Sequence, residues 1–138
     1  MKIHTQTHVM TEIALASQAD HENPYGEVDV DVTFSGDGRQ LVVPAFWAGD
    51  GVWKVRFAPP APGEWSFHTA CTDPEDAGLH GVTGQIRATP YTGDNGLLTH
   101  GRLRVADGAR HLEHIDGTPF LWLGDTWWMG LTTRLDWP

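Results

Sequence analysis

The stretch EVDVDVTFSGDG, residues 27–38, decides the fold class. Apolar and polar residues alternate along it, which is the period of a β-strand with one buried face. The Asp37-Gly38 pair that follows favours a tight hairpin, because both of its positions must tolerate positive φ. The stretch therefore predicts antiparallel β structure. The side chains predicted to face the core are Val28, Val30, Val32 and Phe34, and those predicted to face solvent are Glu27, Asp29, Asp31 and Thr33.

The same two signals recur along the first 90 residues. Alternation returns on either side of the proline-rich stretch 58–63, with Trp53, Val55 and Phe57 before it and Trp65, Phe67 and Thr69 after it. Asp-Gly pairs recur at 50–51, 107–108 and 116–117. We predict strands near residues 10–17, 27–35, 40–47, 52–58, 64–71 and 82–89. Because Pro44 cannot donate to a sheet ladder, its strand should be an edge or carry a bulge. Strand number and turn spacing predict an immunoglobulin-like antiparallel β-sandwich.

The character of the chain changes after residue 90. Residues 90–96 are polar and glycine-rich and show no apolar periodicity, so we predict the domain boundary there. A predicted hairpin around residues 107–108 follows. Residues 120–124, FLWLG, then form a continuous apolar run, which is typical of a parallel strand that is covered on both faces. Asp125-Thr126 offers a helix N-cap directly after that strand.

The net charge of the chain limits the classes of molecule that it can bind. The 138 residues contain 18 acidic and nine basic side chains, for a formal net charge of −9. This charge would repel phosphate backbones and anionic lipid, and the basic residues form no run. We therefore expect neither nucleic acid nor a membrane as partner.

Cysteine content and the N-terminus bear on the cellular compartment. Cys71 is the only cysteine, so the chain can form neither an internal disulfide nor a thiolate metal cage. We expect its side chain to pack as a small buried hydrophobe. The first eight residues lack the apolar stretch of a secretory signal. As written, the chain is expected to be cytoplasmic, and it would be secreted if a signal is missing from its N-terminus.

Two blocks of sequence carry a family resemblance. NPY (23–25), VPAFWAG (43–49), WKVRFAP (53–59) and PGEW (62–65) resemble the Ig-like N-terminal domain, of unknown function, of apiosidase-like glycoside hydrolases. DGTPFLWLGDTWW (116–128) resembles the first strand of the (β/α)8 catalytic barrel of the same enzymes. The resemblance implies an Ig-like sandwich over residues 1–92. It implies a linker, a hairpin and the truncated start of a barrel over residues 93–138.

The candidate site lies where that barrel strand ends. Asp125 would stand at the carboxyl end of the strand, where barrel active sites are built, and would accept hydrogen bonds from sugar hydroxyls. Its alternative role is the helix N-cap. Trp127 and Trp128 offer flat aromatic faces on which a sugar ring can stack, although neighbours in sequence would not both face one pocket. We predict Asp125, Trp127 and Trp128 as substrate-binding residues, with Trp127 the better candidate of the two tryptophans.

No catalytic residue, metal or cofactor is predicted. Glycoside cleavage uses two carboxyl groups about 5–9 Å apart. The acidic groups Glu27, Asp29 and Asp31, and Asp73, Glu75 and Asp76, are expected to be solvated. His111 and His114 would point to opposite faces of a strand, and His4 and His8 would lie about 13 Å apart, so neither pair suits one metal ion.

The resemblance implies that the chain is the N-terminal accessory domain and barrel opening of a glycoside hydrolase that acts on plant or microbial polysaccharide. A complete barrel needs about 250 residues, so this chain alone is expected to be inactive. The alternative is a self-contained, non-catalytic β-sandwich module that binds carbohydrate or a partner protein. The apolar stretch 120–138 is expected to cause self-association or poor solubility, because the elements that would cover it are absent.

Overall fold

The computed structural model describes residues 1–124 and 126 and divides the chain into two units, Met1–Arg102 and Leu103–Pro138. The first unit is mainly β, as predicted, with eight strands and two one-turn helices. Its strands are β1 (Lys2–Gln6), β2 (Thr11–Ala16), β3 (Val30–Gly36), β4 (Arg39–Pro44), β5 (Phe46–Gly49), β6 (Val52–Phe57), β7 (Gly63–Cys71) and β8 (Thr83–Thr89), and its helices are α1 (Pro24–Glu27) and α2 (Gly96–Thr99).

The eight strands form two sheets. The larger has the order β1-β8-β7-β3-β4, and the smaller has the order β2-β6-β5. Neighbouring strands are antiparallel except for β1 and β8, which run parallel. Two of the predicted Asp-Gly hairpins are confirmed, at β3–β4 and β5–β6. Asp37 and Gly38 have φ of 50° and 67°, and Asp50 and Gly51 have φ of 50° and 70°, so each pair has the positive φ that a two-residue hairpin requires.

One hydrophobic core lies between the two sheets. Phe34 of β3 stacks on Phe57 of β6, with ring centroids 3.9 Å apart and planes within 3°. The period-two predictions for the faces of β3, β6 and β7 are confirmed, since every predicted inward residue is buried. The apolar residues of the core are Ile13, Leu15, Val28, Val30, Val32, Phe34, Trp53, Val55, Phe57, Trp65, Phe67, Cys71, Leu79, Ile86 and Ala88.

The predicted strand 40–47 is in fact two strands in different sheets. β4 ends at Pro44 on the edge of the larger sheet, and β5 begins at Phe46 in the smaller one. Pro44 has no N–H to extend the ladder, and Ala45 instead donates its N–H to the carbonyl oxygen of Val30 at 2.8 Å. The chain therefore crosses between the sheets at this point.

The sequence analysis predicted no strand at β1. Its residues are largely polar, and only Ile3 packs against the core. What holds β1 in place is its parallel backbone pairing with β8, from Lys2 opposite Gln85 to Gln6 opposite Thr89. A pairing across more than 80 residues leaves no local signal in the sequence.

The polar segment after β8 is attached to the first unit by hydrogen bonds. The N–H of Tyr91 donates to Thr7 Oγ1 at 3.0 Å. His8 Nδ1 lies 2.8 Å from the carbonyl oxygen of Leu98 in α2. Asn95 caps α2 by accepting a hydrogen bond from the N–H of Leu97.

The second unit contains a small antiparallel sheet of order β11-β10-β9, formed by β9 (Leu103–Val105), β10 (Leu112–His114) and β11 (Pro119–Phe120). An ion pair joins Arg104 Nη2 to Glu113 Oε1 at 2.7 Å. Beyond β11, the apolar side chains of residues 121–123 are exposed. Over residues 1–124 and 126, no helix has the length and apolar character that crossing a membrane requires.

Gly36 gives a direct test of the core packing. A Cβ at this position would lie 2.5 Å from a carbon of the Trp65 ring. Gly36→Ala should lower the free energy of unfolding by about 1–3 kcal/mol, because the core cannot accept the methyl group without moving the ring. Ser35→Ala, one residue earlier and on the opposite face, should change it by less than about 0.5 kcal/mol. Urea unfolding of both variants is the measurement, and equal losses would contradict the packing.

Candidate functional site

The predicted substrate-binding residues Asp125, Trp127 and Trp128 lie outside the described residues. Immediately before them, residues 121–124 are exposed, as is Thr126 between Asp125 and Trp127. The first unit carries three polar arrangements that could bear on function: a buried aspartate, a groove on the larger sheet and a charged cluster on the smaller sheet.

The buried aspartate is Asp76, in the loop between β7 and β8. Its side chain has no exposed surface. The carboxylate accepts hydrogen bonds from Ser17 Oγ at 2.6 Å and from the backbone N–H groups of Gln18 and Gly78, each at 2.9 Å. His21 Nε2 lies 3.2 Å from the same carboxylate. Asp76 therefore ties its own loop to the segment that follows β2.

The expectation that Asp76 is solvated is wrong, whereas Glu27, Asp29 and Asp31 are exposed as predicted. The loop folds inward because Leu79 is fully buried in the core. Gly78 permits this approach, since a Cβ there would collide with the carbonyl oxygen of Ala16. Pro74, and an aspartate two residues before a glycine, indicate a turn but do not indicate that Asp76 is buried. Its main partners lie 55 to 59 residues away.

The electrostatics of this cluster keep Asp76 ionised. Burial by itself would raise the pKa of Asp76, but the hydrogen bonds from Ser17, Gln18 N, His21 and Gly78 N together outweigh burial and lower the pKa to about 2. A carboxyl group with such a pKa is not a general acid at neutral pH.

The same residues include a serine, a histidine and an aspartate, but their order does not suit nucleophilic catalysis. In a catalytic triad, histidine stands between the other two and removes the proton of the serine. Here Asp76 stands between Ser17 and His21 and binds both. The arrangement is a structural clamp, which we call the Asp76 clamp.

The second arrangement is a groove of about 480 Å³ on the outer face of the larger sheet. One cross-strand row carries His4, Arg87 and Glu64 side by side on β1, β8 and β7. The next row carries Lys2, Gln85, Ser66 and Ser35 on β1, β8, β7 and β3. We call these seven side chains the polar groove. It offers hydroxyl, amide, carboxylate and cationic groups to solvent, and nothing in the local sequence marks it, because its members come from four strands.

The third arrangement is a charged cluster on the outer face of the smaller sheet. Glu12 pairs with Lys54 Nζ at 2.8 Å and with Arg56 Nε at 2.9 Å. Hydrogen bonds from Lys54 and Arg56 lower the pKa of Glu12. Arg56 also lies over the ring of Phe46, with its Cζ 5.1 Å from the ring centroid. The charges of this cluster are therefore engaged with one another.

The remaining reactive groups are the thiol of Cys71 and the side chains that can bind a metal ion. Cys71 is buried as predicted, and burial raises the pKa of its thiol. It packs as a hydrophobe. Within residues 1–124 and 126, His, Cys, Asp and Glu side chains form no group of three or more that could hold a metal ion.

The fold and half of the sequence match known proteins. A crystal structure described as that of a putative glycoside hydrolase from Bacteroides vulgatus superposes with a TM-score of 0.70 and 24% sequence identity. The match covers 86% of this chain, and the chain spans about a fifth of the length of that protein. The two therefore share a fold. No curated protein matches the chain. Residues 4–72 match a family described as a domain of unknown function, DUF5060, and the chain belongs to that family.

Proposed function

We propose that this chain is the N-terminal accessory part of a glycoside hydrolase of the apiosidase-like kind. One observation carries the proposal: the likeness to a protein described as a putative glycoside hydrolase covers 86% of the chain but only 21% of that protein. A match of this extent is longer than the first unit, so it continues into the second. The chain thus corresponds to a minor part of a much larger protein, in which most of the catalytic apparatus would lie elsewhere.

Strand order supports an immunoglobulin-like sandwich for the first unit. In variable-type immunoglobulin domains, strands G, F, C and C′ lie in one sheet, and strands D, E and B lie in the other. In this chain, β8, β7, β3 and β4 are adjacent in that order, and β5, β6 and β2 form the second sheet. Under this proposal, β2 to β8 would correspond, in chain order, to strands B, C, C′, D, E, F and G.

For the second unit, we propose that residues 116–128 open the catalytic barrel. The apolar side chains of residues 121–123 are exposed here, and the neighbouring strands and helices of a barrel would cover them. Asp125, Trp127 and Trp128 would then stand at the carboxyl end of the first barrel strand and bind sugar. The two catalytic carboxylates would come from later strands.

The test compares two lengths of the protein. The 138-residue chain should hydrolyse no aryl glycoside or pectic oligosaccharide, because under this proposal the two carboxylates that cleave the glycosidic bond belong to later barrel strands. The protein made from the whole reading frame should hydrolyse at least one of them. In that longer protein, Asp125→Ala should raise KM or lower kcat, while the exposed Asp29→Ala, in the first unit, should change neither.

Two results would contradict the proposal. One is turnover by the 138-residue chain that persists after repurification. The other is a whole-frame protein that folds cooperatively yet cleaves no glycoside in a broad panel, which would favour a module without catalytic activity.

A further inference from the structure

The polar groove carries a charge opposite to that of the chain. The formal net charge of the chain is −9. The groove, in contrast, presents Lys2 and Arg87 against one carboxylate, Glu64, with the imidazole of His4 beside them. A local excess of positive charge on an acidic protein attracts anionic ligands.

Arg87 remains available to a ligand. Its Nε lies 3.6 Å from Glu64 Oε1, and the two side chains are 64% and 67% exposed. Such an exposed pair is held weakly, so the guanidinium can turn towards an incoming carboxylate. Arg56 on the other sheet differs, because Glu12 accepts a hydrogen bond from its Nε at 2.9 Å and Phe46 lies beneath it.

The neutral groups of the groove suit hydroxyl-bearing ligands. Ser35, Ser66 and Gln85 form part of one row across the sheet, and none of these side chains hydrogen-bonds to another described residue. The row continues to Gln40 on β4, so that it crosses all five strands over roughly 19 Å. Ser and Gln side chains can both donate and accept hydrogen bonds, as sugar hydroxyls do.

The groove lacks the feature that usually binds neutral sugars. Trp65 lies at its floor but is only 1% exposed, since its ring packs in the core. Among the described lining residues, none offers a Phe, Tyr or Trp face on which a sugar ring could stack. Charge must therefore supply most of the affinity, and binding should be weak and sensitive to salt.

We propose that the polar groove binds an oligosaccharide that carries carboxylate groups. Arg87 and Lys2 pair with a sugar carboxylate, and Ser35, Ser66 and Gln85 bind the ring hydroxyls. The choice of a saccharide as ligand rests on the proposed function, whereas its negative charge rests on the groove alone.

The experiment uses tetragalacturonate as the probe and its fully methyl-esterified form as the uncharged control. Each is titrated into the ¹⁵N-labelled 138-residue chain, and amide shifts are followed by NMR. Tetragalacturonate should shift amides of β1, β7 and β8 but not those of β2, β5 and β6. The methyl ester should bind about five-fold more weakly, which is the upper end of what one exposed ion pair contributes. Raising the salt from about 0.1 M to about 1 M should remove most of the binding.

Two arginine variants locate the site. Arg87→Gln should weaken tetragalacturonate binding about five-fold, and Arg56→Gln should leave it within about two-fold. Both arginines are exposed and pair with one glutamate, so each variant removes one exposed cation, from the larger sheet in one case and from the smaller sheet in the other. Wild-type-like spectra of the free variants would show that each remains folded.

Several outcomes would overturn the proposal: no shifts with tetragalacturonate, equal binding of the methyl ester, equal effects of the two arginine variants, or equal binding of an oligoglutamate. None of these would bear on hydrolysis by the whole-frame protein, since an accessory domain need not bind sugar. Conversely, groove binding without any hydrolysis by that longer protein would remove the hydrolase proposal and leave the groove intact.

Discussion

Replacing Trp65 by alanine should lower the free energy of unfolding by about 3–5 kcal/mol. Trp65 is almost fully buried, and its ring contacts Phe57 of the opposite sheet, with centroids 5.4 Å apart. Its Nε1–H donates to the carbonyl oxygen of Ala61 at 3.1 Å. Truncation would leave a cavity between the two sheets and would also remove the partner of that carbonyl.

Two further variants separate the causes of the loss. Trp47→Ala makes the same substitution on β5, where the side chain is 41% exposed, and should cost at most about half as much. Trp65→Phe keeps an aromatic ring but loses the hydrogen bond to Ala61, so it should cost less than the alanine variant. Urea or thermal unfolding measures all three. A loss below about 1 kcal/mol for Trp65→Ala, or equal losses for Trp47 and Trp65, would contradict the assigned core face.

The sequence predicted those features of the fold that depend on neighbouring residues. Alternation identified the buried faces of β3, β6 and β7, because successive side chains of a strand must point to opposite sides. Asp37-Gly38 and Asp50-Gly51 identified two hairpins, because few residue pairs tolerate positive φ at both positions. Pro44 predicted an edge strand or a bulge, since it lacks an N–H, and β4 is an edge strand. Each of these inferences needs only a short window of sequence.

Features that depend on distant pairing escaped prediction. β1 forms through its partner β8, and Asp76 is buried through Ser17, Gln18 and His21. The polar groove has the same origin, because its side chains meet only once β1, β8, β7 and β3 are in order. Polar residues at alternate positions of a strand are ordinarily solvated, so no single strand distinguishes a groove from a plain exposed face. Asp125, Trp127 and Trp128 remain predictions from the resemblance.

The Asp76 clamp should contribute nearly as much to the free energy of unfolding as a core tryptophan does. Asp76→Ala should lower the free energy of unfolding by about 3 kcal/mol, because the backbone N–H groups of Gln18 and Gly78 would lose their acceptor in a buried site. Asp76→Asn keeps the shape but loses the charge and should cost about 2 kcal/mol. Glu75→Gln, the neighbouring exposed position, removes the same charge from the loop and should change stability by less than about 0.5 kcal/mol.

The pH dependence of stability tests whether charge is the cause. The pKa of Asp76 falls from 3.8 to about 2 on folding, so between these values the unfolded chain binds more protons than the folded chain. Stability therefore rises with pH across this window. The contribution of Asp76, about 2 kcal/mol, is complete above about pH 4 and is lost as the pH falls towards 2.

Denaturant unfolding of the wild type, Asp76→Asn and Glu75→Gln at several pH values isolates this effect from that of Glu12. The lowered pKa of Glu12 acts in the same direction in every variant. The wild-type and Glu75→Gln curves should converge on that of Asp76→Asn at low pH. Curves that stay parallel down to pH 2 would show that the clamp works through shape and hydrogen-bond number rather than through the ionised carboxylate.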